Sequence, residues 1–135
     1  MRQGWNDDDY LILFAPEEMA AAAAAYAIEH YLPGFTLAGI HGWDEFIVVG
    51  PDGSTLTIPT VPLDVRYAVA FTLPEQISLE PDPRLDGKIK WYVKPLVFGG
   101  DASDQANMQW ITHEQHAGLV RWWNEQYALL KDQAP

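Results

Sequence analysis

The strongest constraint on this chain lies near its C-terminal end. Thr112 and Gln115 stand three residues apart, as the two halves of a capping box do. After them His116, Leu119, Val120, Trp123, Tyr127 and Leu130 recur at i, i+3, i+4, i+7, i+11 and i+14, which is one face of an α-helix. A helix with a single apolar face must lay that face on another element. The element on offer is a sheet, because proline and glycine cut the middle of the chain into strand-length pieces.

Those pieces can be read in order. Met1–Asp9 reads as a loose lead-in, and Tyr10-Leu-Ile-Leu-Phe14 as a short buried strand. Pro16 suits a first helical position, with Glu17 and Glu18 where the helix dipole favours anions. The run Met19–Ala25 is strongly helix-forming, and Pro33-Gly34 predicts an end near Tyr31. Strands are expected over Phe35–Ile40, Trp43–Val49 and Thr55–Ile58, with Gly50-Pro51-Asp52-Gly53 as the clearest hairpin turn. Residues 65–83 hold three prolines and leave room only for short edge strands and loops. Lys88–Phe98 reads as a further strand, bent at Pro95, and Gly99 opens a polar loop that runs to Asn107. The order predicts one α+β domain over residues 1–135. Its sheet is mostly antiparallel, with an N-terminal helix and the C-terminal amphipathic helix packed on it. Six Trp, six Tyr and five Phe supply the apolar area for a core at this length.

Charge narrows the function classes. Ten of the nineteen acids but only one of the eight bases, Arg2, fall in residues 1–65, so that half carries −9 of the total −11. Such a chain repels phosphate backbones and anionic lipid surfaces, so neither nucleic acid nor membrane is expected as a partner. The longest apolar stretch, Met19–Ile28, is about half of the roughly 20 residues a membrane span needs. With no cysteine there is no disulfide, thiolate nucleophile or Cys-based zinc site. No basic start followed by an apolar run is visible at the N-terminus, and a cytoplasmic location is expected.

No catalytic constellation accompanies the charge. His113-Glu114-Gln115-His116 resembles half of a zinc motif, but its histidines are spaced i, i+3 rather than i, i+4, with no third ligand nearby. His116 instead joins the apolar stripe, leaving His113 and Glu114 in the exposed first turn. Asp7-Asp8-Asp9 lacks the spacing and glycine of a calcium loop. Gly99-Gly100-Asp101 has no lysine partner and fits no phosphate loop. No cofactor, bound metal or enzymatic activity is expected. The candidate partner-binding residues are Asp7, Asp8 and Asp9, with Trp43, Asp44 and Glu45, where a ring beside two acids suits an interface anchor.

Several segments also form a recognisable set. They are Leu32-Pro33-Gly34, Gly42-Trp43-Asp44-Glu45-Phe46-Ile47-Val48, Ile58-Pro59-Thr60-Val61-Pro62, and Trp91-Tyr92-Val93-Lys94-Pro95 with Phe98-Gly99-Gly100-Asp101. Asn107 and Trp110, leading into Leu119-Val120-Arg121-Trp122-Trp123-Asn124, complete it. The set resembles bacterial proteins of the SUKH superfamily, the Smi/Knr-like and Syd-like group. That resemblance implies an α+β fold and the role of many members, immunity proteins that bind and neutralise a cognate toxin domain. The expectation is therefore a non-enzymatic immunity protein that occludes the active site or substrate groove of a basic toxin or effector domain. The alternative is a small cytosolic regulatory or scaffold module without a toxin partner. A hydrolase or small-molecule binder using His41, His113 or His116 with nearby acids is the third reading.

Overall fold

The computed structural model describes residues 1–73 and 77–133, and for Asp132 and Gln133 only the backbone. Among the described residues there are eight strands and three α-helices. Strands β1 (Arg2–Asn6) and β2 (Asp9–Leu13) precede helices α1 (Pro16–Ala25) and α2 (Ile28–Tyr31). Strands β3 (Thr36–His41), β4 (Glu45–Val49), β5 (Thr55–Pro59) and the short β6 (Val69–Ala70) follow. Then come β7 (Lys88–Tyr92), β8 (Met108–Thr112) and α3 (His113–Gln133). The first six strands form one antiparallel meander in chain order, and β7 pairs with β8 in a second, two-stranded sheet. The architecture is α+β, as expected.

The loose lead-in is overturned. Residues 2–6 are the first strand of the sheet, paired Arg2↔Leu13 through Asn6↔Asp9 with β2 and bridged by Trp5↔Glu80 on the other side. The physical cause lies in Trp5, whose ring meets Tyr10 edge-on at 5.2 Å and whose indole N–H donates to Asp82 Oδ2 (3.2 Å). Pairing β1 buries aromatic surface that a free segment would leave wet.

The expected single helix to Tyr31 is two helices. Ala27 adopts φ 56°, ψ 39° between them. Tyr26 and Ile28 are both buried. In a continuous helix these positions would point about 200° apart, so the break lets both enter one core. Trp43 also leaves the expected strand, which starts at Glu45, and sits in the three-residue β3–β4 turn. Lys88–Phe98 ends as a strand at Tyr92. The residues after Pro95 form a 3-10 turn, Leu96–Phe98. β8 was not foreseen.

Tyr10, Ile12, Leu37, Ile40, Phe46, Val48 and Ile58 of the main sheet meet Ile89, Trp91 and Ile111 of the small one. Ile28 and Leu32 close the core on the helical side, and α3 adds His116, Ala117 and Val120. Leu11 and Ile47 alternate onto the other sheet face and are buried as well, which is why both strands read as unbroken apolar runs. The α3 capping box forms as expected. Gln115 Oε1 accepts from the Thr112 N–H (3.0 Å), and Thr112 Oγ1 accepts from the Gln115 N–H (3.1 Å). The apolar stripe stops short of its predicted end, since Leu130 is 55% exposed. There, Lys131 with Asp64 (3.0 Å) and Tyr127 with Arg66 (2.8 Å) hold the helix by polar contacts.

Candidate protein-binding surface

The antiparallel order places the β1–β2 turn, the β3–β4 turn and the end of β5 at one end of the sheet. Register decides which side chains meet there. Leu11 pairs with His41, and His41 with Glu45. His41 thus stands between two acids from neighbouring strands. Its Nδ1 lies 3.0 Å from Glu45 Oε1 and its Nε2 3.4 Å from Asp9 Oδ1. Asp7 and Asp8 form the exposed tip of the β1–β2 turn, where Asp7 takes φ 53°, a conformation aspartate tolerates better than most residues.

Trp43 occupies the β3–β4 tip with φ 68°. A bulky side chain there carries strain on the order of 1–3 kcal/mol, which its surroundings must offset. The offset comes from three rings. Tyr10 stacks on Trp43 at 4.8 Å, and Trp5 and Trp110 meet it edge-on at 5.9 and 5.3 Å. The turn is fixed further by the Gly42 N–H donating to the Tyr10 carbonyl (2.8 Å) and the Thr60 N–H to the Asp44 carbonyl (3.0 Å). Trp43 is therefore half-buried and rigidly held, and its indole Nε1 is buried without a partner among the described residues.

The acids at this end have no lysine or arginine ion pair among the described residues: neither cation lies within ion-pair distance of Asp7, Asp8, Asp9, Asp44 or Glu45. Asp44 as a residue is exposed, yet its carboxyl is crowded by protein. Desolvation first, and repulsion from Glu45 second, raise its pKa above the ordinary aspartate value. Beside this carboxyl is a cavity of about 230 Å³, walled by residues 43–45 of the β3–β4 turn and the start of β4, residues 59–61, the end of β7 at residues 90–92, and Pro95 and Leu96.

The structure thus brings Asp9 and Glu45 together through His41 and sets Asp7, Asp8, Trp43 and Asp44 at the same end. Trp5, His41, Lys90 and Trp110 complete this surface, with Tyr10 buried beneath Trp43. The signal for the first of them was present: Asn6-Asp7-Asp8-Asp9 between Trp5 and Tyr10 is turn chemistry flanked by aromatic residues. Lys90 and Trp110 carried no such signal, since the β7–β8 pairing brings them across as register partners.

The histidines singled out elsewhere fall inside the fold. His116 is wholly buried, its Nδ1 2.6 Å from the Tyr26 hydroxyl, and burial, with His113 nearby, holds its pKa down to about 3. His113 is part-buried rather than exposed, and desolvation lowers it too. Among the described residues no group of three or more His, Cys, Asp or Glu is placed to hold a metal ion, and no helix is long and apolar enough to cross a membrane. Comparison with protein-family models, with curated proteins and with solved structures found no match.

Proposed function

We propose that this protein binds a basic protein partner through the acidic end of its sheet, and that it acts there as a non-enzymatic inhibitor of the immunity type. Binding would cover the active site or substrate groove of a toxin domain in the cytoplasm. The observation that carries the reading is the set of five carboxylates, Asp7, Asp8, Asp9, Asp44 and Glu45, at one sheet end, with no Lys or Arg within ion-pair distance among the described residues. Trp43 lies at the same end, an aromatic held rigid by its neighbouring rings, so little side-chain entropy is lost when a partner covers it. Tryptophan is among the residues enriched at binding hot spots, and complementary charge around it speeds encounter with a basic surface. The residue segments that resemble the SUKH group favour the same role, and the Trp43 turn belongs to them.

The test compares wild type with a variant carrying Lys at all five acidic positions. Immobilised wild-type protein should retain a basic protein from native lysate that the variant does not. With that protein purified, the variant should associate at least about tenfold more slowly at low salt, and its rate should be nearly independent of salt. Co-expression of the wild type should relieve growth inhibition by the same protein. Equal association rates for the two forms would place the interface elsewhere, and absence of any growth inhibition to relieve would remove the immunity role.

A further inference from the structure

We propose that the cavity beside Trp43 is a socket for one arginine side chain of the basic partner. The proposal rests on the interface reading above and names what that interface recognises. The cavity is about 230 Å³. That is below the roughly 300–1,000 Å³ of sites for drug-sized ligands and suits one long side chain. Its walls include Trp43, Trp91 and Tyr92, and its charged groups are Asp44, Glu45 and Lys90. Two carboxylates against one ammonium leave the socket with one uncancelled negative charge. Lys90 does not cancel it in place, for its Nζ sits over the Tyr92 ring, 5.8 Å from the centroid, outside ion-pair distance of either acid. Glu45 uses one oxygen on His41 and keeps the other. Asp44 is crowded and repelled by Glu45; His41 and Lys90 offset this only in part, and among the described residues neither lies within ion-pair distance of it.

An apolar side chain entering this cavity would strip water from two carboxylates and return nothing, and an anion would meet net negative charge. A cation satisfies both acids. Among cations, the guanidinium fits best. It is planar and weakly hydrated, stacks on aromatic faces, and offers several N–H donors to two carboxylates at once, whereas an ammonium is a compact, strongly hydrated point charge.

The experiment uses the full chain and N-acetyl-arginine amide as the probe. N-acetyl-citrulline amide, the uncharged isostere, is the control. Tryptophan fluorescence and backbone amide shifts are followed by titration. Arginine amide should give saturable shifts confined to residues 42–45, 59–61 and 90–92, with citrulline amide at least about tenfold weaker. Asp44→Asn and, separately, Glu45→Gln should each weaken the arginine response about tenfold, with unchanged circular dichroism. Linear, unsaturable shifts, equal responses to arginine and citrulline, or full retention of binding in both variants would overturn the socket. Because the probe needs no partner, its failure is separable from failure of the interface. If arginine amide fails while the five-lysine variant still slows association, the socket falls and the acidic interface remains.

Discussion

His116 shows how a single side chain can tie stability to pH. An unfolded imidazole titrates near 6.5, whereas burial between Tyr26 and Trp91 holds His116 down to about 3. Above pH 6.5 neither state binds the proton and stability is whole. Below it the unfolded chain takes up a proton that the native state refuses. Stability should therefore fall by about 1.4 kcal/mol per pH unit from this group, until the native value is reached. Denaturant midpoints from pH 7.5 to 5 should show this slope in the wild type and a shallower one in His116→Leu. The slope should not vanish, because His113 is displaced in the same direction. Trp43 offers a second measurement. Its side chain packs well but its backbone is strained. Trp43→Ala loses the rings and keeps the strain, costing about 3 kcal/mol, whereas Trp43→Gly loses the rings and relieves the strain. Glycine should be the milder substitution by about 1 kcal/mol, and equal unfolding midpoints would contradict the left-handed turn.

Among the elements, β1 departs furthest from expectation and gives the clearest experiment. A lead-in could be deleted without cost. Removing residues 1–8 from this fold strips an edge strand, takes Trp5 away from Tyr10, Trp43 and Asp82, and bares β2. The truncated chain should lose several kcal/mol or fail to fold, as read by the denaturation midpoint and near-ultraviolet circular dichroism. β1 escaped prediction because its alternation is spoiled by Gly4. That glycine is required by close approach: a Cβ there would overlap the Glu80 carbonyl, contributed by a segment some 75 residues away in the chain. α3, by contrast, was legible almost to its last turn. Its cap and its stripe are local patterns with the period of the helix itself. Even there, the apolar stripe leaves out Asn124. It is buried, its Oδ1 accepting from the Leu63 N–H and its Nδ2 donating to the Thr60 carbonyl, both at 2.8 Å. A polar residue on the buried face is readable only when its partners are known.

Across the whole molecule, charge is the property on which sequence and structure agree most closely. A net −11 concentrated in the first half imposes self-repulsion on the folded state, and its screening length is about 10 Å at 0.1 M salt. Raising sodium chloride from low concentration to about 0.3 M should raise the denaturation midpoint, and a fall would mean that surface ion pairs outweigh the repulsion. Charge, the α+β class, the turn at residues 50–53 and α3 were all readable in advance, since each depends on composition or on neighbours within one or two turns of chain. The candidate surface was only half readable. Asp7, Asp8, Asp9, Trp43, Asp44 and Glu45 could be named, but their assembly at one end follows from the pairings of β1 with β2 and β2 with β3. The placement of His41 between Asp9 and Glu45 adds the pairing of β3 with β4, and Trp110 reaches Trp43 from the second sheet, where β8 pairs with β7. Strand pairing joins residues far apart in the chain through backbone hydrogen bonds that carry no side-chain signature. A one-residue slip would turn every side chain of a strand to the opposite face. That register is set by the core as a whole, and only the folded molecule decides it.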